Sequence, residues 1–416
     1  MNDTSPPTKR ARPGLFWVQR AGICVMAFVL PAFNGRPVAL SSGFPCLLFS
    51  GFILFHRALH RDRRMLRWRD AGALVFVLFA WVVVASLSTI ANANANPVIV
   101  DNLVWSYLAP FILFLSIYGL RPSSADYESI FFSFSLGLAL RFSIGAWTFY
   151  QTWGIPSFSD LAVARFDLLQ MDSYMSVTFG NTSSTASVLA VTIPVLVTSL
   201  MIPRRGLAWL ISLPALAVCV ANVFITGSRA TIIIVALVIT LIAIKIKSRA
   251  RFAVFAVLTM AVVLFVSNIG DESLARFKAV LEIDEQGDQS VAGRLDSISY
   301  GLEHMCDHAL GTGPGISFLD NPYSVPHQFA VAQGSDLGPL GMVCVILLSV
   351  AVLVKVIRLD LRRRQELTGA IAFQFGALTW IVFAMTANIG LSSLATMPWS
   401  GLLALFLALG ESWPRP

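Results

Sequence analysis

The sequence predicts an all-α integral membrane protein with about twelve transmembrane helices and one large helical extracytoplasmic loop between helices 9 and 10. Of its 416 residues, 56% are hydrophobic and only 13% are charged, whereas soluble proteins carry roughly a quarter charged residues. A helix that crosses a bilayer needs about 20 mostly apolar residues. Runs of this kind predict spans at residues 15–33, 38–56, 70–91, 102–120, 128–150, 184–202, 207–226, 229–246, 252–269, 337–357, 368–388 and 394–411.

The basic residues predict which ends of the spans are cytoplasmic. If the N-terminus is inside, the inner segments carry 22 of the 30 basic residues, as the positive-inside rule requires. These residues lie within 9–12, 57–69, 121, 204–205, 245–251, 355–364 and 415. A missed span would scatter these charges, so we expect both termini to be cytoplasmic. The net charge of +7 is therefore spread along an inner membrane face and does not indicate nucleic-acid binding.

Two predicted outer segments are too long to be simple turns. The loop at 270–336 holds eleven acidic residues against three basic ones, and a shorter outer segment runs from about 151 to 183. The expected organisation is a tail at 1–14, spans 1–9 within 15–269, the large loop, spans 10–12 within 337–411, and a tail at 412–416. Chemistry on a soluble substrate would use these two segments and the outer ends of the helices.

An arginine stands at the predicted outer end of the eighth span, in "TGSRATIIIVAL". Arg229 would begin a helix, where free N–H groups and the macrodipole favour a bound anion. Gly227 and Ser228 permit a tight, capped start. The pattern predicts a phosphate-sized site at the membrane surface, and the alternative is an arginine that reaches lipid headgroups.

A second candidate arginine lies in "SVAGRLDSISYGLEHMCDHALGTGPG". The apolar residues of this stretch recur at helical spacing and predict an amphipathic helix with a stripe that includes Leu302 and Met305. At about 100° per residue, Arg294 falls roughly 60° from the centre of that stripe. This position favours a bound anion, with a salt bridge to a neighbouring acid as the alternative.

The histidines of the large loop suggest two kinds of chemistry. His304 and His308 have the i, i+4 spacing of a metal site, but the helical wheel turns them mostly towards solvent, so a solvated face is favoured. His327 lies in "NPYSVPHQFAVAQGSDLGPLG", next to the tenth span. A histidine can exchange a proton near neutral pH, so His327 is a candidate general base, and the alternative is a residue that fixes the loop to the bundle.

Taken together, these motifs resemble the O-antigen ligase and Wzy-type polysaccharide polymerase superfamily. The resemblance covers the whole topology, the Ser-Arg start of the eighth span, the loop arginine followed by a Gly-x-Gly turn, and the loop histidine followed by acid-x-Gly-x-x-Gly. "FGNTSSTASVLAVTIP" resembles the family's Gly/Asn-rich start of the sixth span. The chain departs from the family at Gln328, where Asn is usual, and at Asp336, where Glu is common.

The resemblance implies a glycosyltransferase on the periplasmic side of the bacterial inner membrane that works without a metal ion or cofactor. An acceptor hydroxyl would attack the anomeric carbon of a polyprenyl-pyrophosphate-linked glycan, and polyprenyl pyrophosphate would leave. Arg229 and Arg294 would offset the developing charge, and His327 would accept the hydroxyl proton or position the acceptor. Arg141, inside the fifth span, is a third candidate because an intramembrane arginine is functional by default.

Ser228 and Asn181 complete the predicted substrate-binding set, and no residue is assigned to a metal. A polymerase is favoured. The alternatives are a ligase that transfers glycan to lipid A core and an enzyme that transfers glycan to protein. Expected partners are the lipid-linked glycan, a glycan or lipid A core acceptor, membrane lipids and a chain-length regulator. A twelve-helix transporter is a distant alternative, because the sequence shows neither a two-fold repeat nor a set of mid-membrane charges.

Overall fold

A computed structural model describes residues 15–33, 43–60, 72–94, 96–153, 177–179, 182–202, 208–226, 229–245, 289–316, 328–358, 369–386 and 397–411. All regular secondary structure within these ranges is helical. The predicted fold class is thus confirmed as all-α. The predicted ninth span, 252–269, and most of the segment at 151–183 lie outside the described residues.

Thirteen helices run through the described residues. They are α1 (Trp17–Ala32), α2 (Gly43–Leu59), α3 (Ala73–Asn92), α4 (Val98–Ile117), α5 (Ser124–Trp153), α6 (Thr182–Leu200), α7 (Ala208–Thr226), α8 (Arg229–Lys245), α9 (Gln289–Asp307), α10 (Phe329–Leu337), α11 (Pro339–Ile357), α12 (Gly369–Thr386) and α13 (Met397–Glu411). Eleven of the predicted spans coincide with helices whose ends differ from the predicted ones by at most five residues. The count of twelve spans stays a prediction.

Within the described part of the chain, four helices are long and apolar enough by length and composition to cross a membrane. These are α3, α4, α5 and α11. Shorter apolar stretches lie in α1, α2, α6, α7, α8, α12 and α13. Apolar helices suit a bilayer because a helix forms the hydrogen bonds of its own backbone internally and presents apolar side chains to lipid.

The helices pack in a bundle around aromatic and small side chains. Helix α5 packs against α1 and α7, α6 packs against α7, α8 and α12, and α13 packs against α4 and α12. Phe131 of α5 stacks on Phe373 of α12, with ring centroids 4.9 Å apart. Since lipid tails are as apolar as these side chains, close packing rather than exclusion from water stabilises such contacts.

At one face of the bundle, side-chain hydrogen bonds join the ends of neighbouring helices. The Tyr127 hydroxyl donates to the Leu409 carbonyl oxygen at 3.0 Å, and Gln374 Nε2 donates to the Gly410 carbonyl oxygen at 2.7 Å. Both bonds join the start of one helix to the end of α13. We call this the terminal face, and the charge bias predicts that it is cytoplasmic.

Arg57 corrects one detail of the sequence prediction. The predicted second span ends at residue 56 and leaves Arg57 in an inner loop, whereas α2 continues to Leu59 and Arg57 is fully buried. Its Nη1 donates to the carbonyl oxygens of three residues at the end of α4, which are Leu115, Ser116 and Tyr118, at 2.9–3.1 Å. The last carbonyls of a helix have no partner inside it and carry partial negative charge, so a buried cation stabilises this end.

Candidate functional site

A short buried helix, α10, lies in the part of the bundle opposite the terminal face. All nine residues from Phe329 to Leu337 are buried, and α10 packs against α3, α9, α11 and α12. Gln328 caps its N-terminus, because Oε1 accepts a hydrogen bond from the Val331 N–H at 2.7 Å. The last part of the segment 270–336 therefore lies within the helix bundle.

The glycine-rich turn after α9 is joined to the end of α10 by main-chain contacts. The Gly313 N–H donates to the Asp336 carbonyl oxygen at 2.9 Å. We call the two segments, residues 311–315 and 335–338, the glycine clasp. The clasp holds α9 and α10 in a fixed relation at one end of the bundle.

Two glycines are required by the geometry of the clasp. Gly311 and Gly338 have φ angles of +67° and +77°, a left-handed conformation that favours glycine. A Cβ atom on Gly311 would lie 2.5 Å from Leu337 N, and one on Gly338 would overlap the Ala309 carbonyl oxygen. The backbone conformation and the close contact thus explain why glycine occupies position 311 in the turn that resembles the family motif.

Asparagines of α3 and α4 bind the same turn. Asn92 Nδ2 donates to the Gly311 carbonyl oxygen at 3.1 Å, and Asn102 Nδ2 donates to the Pro314 carbonyl oxygen at 2.8 Å. The end of α3, the start of α4 and the glycine clasp therefore share one face, which we call the loop face. The charge bias predicts that the loop face is extracytoplasmic, and its orientation stays a prediction.

A buried polar cluster links α10 to α3 and α4. Gln333 Oε1 accepts hydrogen bonds from Trp81 Nε1 at 3.1 Å and from the Tyr107 hydroxyl at 2.9 Å. The rings of Trp81 and Tyr107 meet edge to face at 5.4 Å. The sequence analysis missed Gln333, although a glutamine six residues after His327 in an apolar stretch was a usable signal.

Arg141 lies within a second polar cluster. Its Nη2 donates to the Thr178 carbonyl oxygen, and its guanidinium carbon lies 5.4 Å from the Phe179 ring centroid. Thr185, in the first turn of α6, accepts from the Phe179 N–H at 3.2 Å and donates to Thr178 Oγ1 at 3.1 Å. Because α5 begins at Ser124 rather than at residue 128, Arg141 lies about 26 Å from the start of this helix.

The start of α8 adjoins this second cluster. Thr231 Oγ1 donates to the Ala186 carbonyl oxygen at 3.1 Å, which ties the first turn of α8 to the first turn of α6. Arg229 is the first residue of α8, as predicted, and its side chain is outside the described residues. Ser228 and Asn181 also lie outside them, immediately before α8 and α6. The structure therefore places the start of α8 in the same neighbourhood as Arg141.

Helix α9 confirms the predicted helix, and its buried face matches the predicted stripe only in part. Ser297, Gly301 and Met305 are buried, whereas Leu302, which the predicted stripe includes, is 39% exposed. Arg294 lies three, seven and eleven residues before the three buried positions, so its register is that of the packed face. Its side chain is outside the described residues. The prediction was therefore right for Met305 and wrong for Leu302, because the face of α9 that packs on α10 also carries the small residues Ser297 and Gly301.

His304 and His308 lie together at the end of α9. Their ring centroids are 4.5 Å apart, and the His304 ring stacks on Tyr300 at 5.7 Å. His304 is half-buried, which differs from the solvent-facing position expected from the helical wheel, and His308 is exposed. Among the described residues, no three His, Cys, Asp or Glu side chains come together as a metal site would require.

His327 lies outside the described residues, one position before the cap of α10. Gln328 Nε2 lies 3.7 Å from Met385 Sδ near the end of α12. Phe329 meets the Trp380 ring of α12 edge to face at 5.4 Å. Helix α12 also contacts α6 and α8, so it connects the α10 region with the helices that carry the second polar cluster.

These features define a polytopic, all-helical membrane protein with a polar site built between α9, α10 and the helix ends of the loop face. A family model described as O-Antigen ligase matches residues 214–346, which include α8, α9, α10 and parts of α7 and α11. The match supports membership of the chain in the O-antigen ligase and Wzy superfamily, the family that its motifs resemble. A search of curated proteins finds no significant match.

Proposed function

We propose that the chain is a membrane glycosyltransferase that transfers or polymerises glycan from a polyprenyl-pyrophosphate donor at the loop face. The family match carries this proposal, because it spans the helix that begins at Arg229, the helix that contains Arg294 and the stretch that contains His327. The glycine clasp supports it, since the clasp brings α9 and α10 together. Polymerisation is favoured, and transfer to lipid A core or to protein is the alternative.

In the proposed reaction, an acceptor hydroxyl oxygen bonds to the anomeric carbon while the bond from that carbon to the pyrophosphate oxygen breaks. His327 accepts the hydroxyl proton as a general base, and the alternative role for His327 is to position the acceptor. Arg229 and Arg294 offset the charge that develops on the leaving pyrophosphate. Arg141 is the third arginine proposed to bind the substrate. It lies in the second polar cluster, where its Nη2 donates to the Thr178 carbonyl oxygen.

The arginines are tested by transfer assays in membrane vesicles with a polyprenyl-pyrophosphate glycan donor. Arg229→Ala and Arg294→Ala should each remove most of the activity while the protein still inserts. Arg229→Lys should restore only part of it, because lysine lacks the bidentate fork that suits phosphate. The matched control is Arg358→Ala, an exposed arginine just after α11, which should keep full activity. Full activity in either site variant would remove that arginine from the proposal.

His327 is tested by comparing two substitutions. If it is the general base, His327→Ala and His327→Gln should both lose roughly 10²–10⁴-fold in rate, and the acidic limb of the pH–rate profile should disappear. If it only positions the acceptor, His327→Gln should retain substantial activity, because an amide replaces the hydrogen bond but cannot take the proton. Unchanged rates in both variants would show that His327 has neither role.

The choice of acceptor is tested in a deletion strain by glycan gel. Loss of glycan chain length indicates a polymerase, and loss of transfer to lipid A core indicates a ligase.

The orientation of the chain is tested with a membrane-impermeant thiol reagent, which should label a cysteine at position 288 and not one at position 362. Labelling at position 362 alone would place the loop face in the cytoplasm and contradict the proposal.

A further inference from the structure

Trp81 of α3 contacts two successive turns of α10. Its indole Nε1 donates to Gln333 Oε1 at 3.1 Å, and its ring meets the Phe329 ring edge to face at 6.1 Å. Phe329 and Gln333 are four residues apart and share one face of the helix. Ser88, also on α3, donates from its Oγ to the Asp336 carbonyl oxygen at 3.1 Å. Helix α3 therefore contacts α10 at its start, in its middle and near its end.

Tyr107 of α4 holds the same glutamine from a second helix. Its hydroxyl donates to Gln333 Oε1 at 2.9 Å, and the side chains of Trp81, Tyr107 and Gln333 are all buried. A rotation of α10 by one residue, about 100°, would break both bonds to Gln333. Buried donors without an acceptor are costly, so this contact specifies the rotation of α10 more strictly than apolar packing alone does.

A π-helical turn in α4, Val104–Leu108, places Tyr107 for this bond. Pro110 follows the turn, and in a regular α-helix a proline ring clashes with the carbonyl group four residues earlier. Asn102, five residues before Tyr107, donates to the Pro314 carbonyl oxygen of the glycine clasp. In a regular α-helix these two side chains would point about 140° apart, and the extra residue of a π turn reduces the angle to about 40°. The π turn thus lets α4 bind the clasp and α10 together.

We propose that Gln333 is a positioning residue for the transfer reaction. Through its bonds to Trp81 and Tyr107 it fixes the rotation of α10, the helix whose cap, Gln328, directly follows His327. The inference rests on the proposed function, in which His327 accepts the proton. A rotation of α10 would move the backbone at its start, and a displacement of about 1 Å in a catalytic group can lower a rate about 100-fold. In this role Gln333 acts through His327 and contacts no substrate.

The inference is tested by a double-mutant cycle of Gln333→Met and His327→Ala, with glycan transfer measured per amount of inserted full-length protein in membrane vesicles. Methionine keeps the length of the side chain and removes the acceptor oxygen, so kcat should fall roughly tenfold or more with little change in KM for the donor. In the His327→Ala background the same change should lower kcat less than about twofold, because the group that Gln333 positions is absent. An equal loss in both backgrounds would show a purely structural role and overturn the inference.

Gln374→Met is the matched control. Gln374 is also a buried glutamine that bonds across helices, since its Nε2 donates to the Gly410 carbonyl oxygen at the terminal face. This variant should keep the wild-type kcat, and a loss as large as that of Gln333→Met would contradict a specific role for Gln333. Tyr107→Phe is a milder second variant that removes one of the two bonds. It should lower kcat about fivefold, the effect of one hydrogen bond, and this loss should also disappear in the His327→Ala background.

A cysteine at position 327 measures the geometry without any transfer. Cys306, which is exposed, is first replaced by serine, and a His327→Cys protein in nanodiscs is treated with a maleimide. Gln333→Met should change the rate of alkylation at position 327, and Gln374→Met should not. An unchanged rate in Gln333→Met would overturn the inference. A changed rate together with full transfer in His327→Ala would support the fixed rotation of α10 and refute the proposed role of His327, so the two failures are distinguishable.

Discussion

Substituting Gly311 by alanine should separate the two halves of the glycine clasp. Gly311 has φ +67°, and an alanine Cβ there would overlap the Asp336 carbonyl group. The left-handed conformation costs an L-residue roughly 1–2 kcal/mol. Relief of the overlap moves the two segments of the clasp apart and removes the hydrogen bonds from the Gly313 N–H to the Asp336 carbonyl oxygen and from the Thr312 N–H to the Ser335 carbonyl oxygen. At about 1 kcal/mol for each hydrogen bond, the clasped arrangement should lose about 3–4 kcal/mol in total.

The assay is the initial rate of glycan transfer per amount of inserted protein, with thermal unfolding of the detergent-purified protein measured in parallel. We expect Gly311→Ala to lower the transfer rate at least tenfold, since 1.4 kcal/mol already changes a population tenfold. The control is Gly51→Ala in α2, where a Cβ meets nothing within 4 Å and should be neutral or slightly stabilising. Wild-type transfer and an unchanged melting temperature for Gly311→Ala would refute the positioning role of the clasp.

Three further predictions concern other parts of the bundle. Arg57→Leu should lower the free energy of unfolding by about 2–4 kcal/mol, because three charge-assisted bonds to the end of α4 are lost; an unchanged melting temperature would contradict the capping role. Thr231→Val removes the bond to Ala186, so it should cost about 1 kcal/mol and reduce transfer more than Thr240→Val, a change nearer the other end of α8. EDTA should leave transfer unchanged; loss of activity that a divalent ion restores would instead assign the chemistry to His304 and His308.

The sequence predicted the positions of the apolar helices well because the relevant signal is local. A bilayer-crossing helix closes its own backbone hydrogen bonds, so a run of apolar residues is nearly sufficient to specify it. The helix start at Arg229 follows from the same local reasoning, because Gly227 and Ser228 precede an uninterrupted apolar stretch. The glycines of the clasp were also visible as a motif, although their conformation was not.

Only the tertiary structure decided which polar residues lie together. Gln333 meets Trp81 across 252 positions of sequence, and no periodicity within either helix indicates that pair. The sequence alone assigns Arg57 to a loop, and only the structure shows that it bonds to the end of α4. The buried face of α9 depends on how closely α10 approaches, so small residues at Ser297 and Gly301 are buried while Leu302 remains exposed. Hydrophobic patterning specifies which segments enter the membrane, whereas the partners of buried polar groups are set by contacts between distant helices, because each such group must be satisfied wherever packing places it.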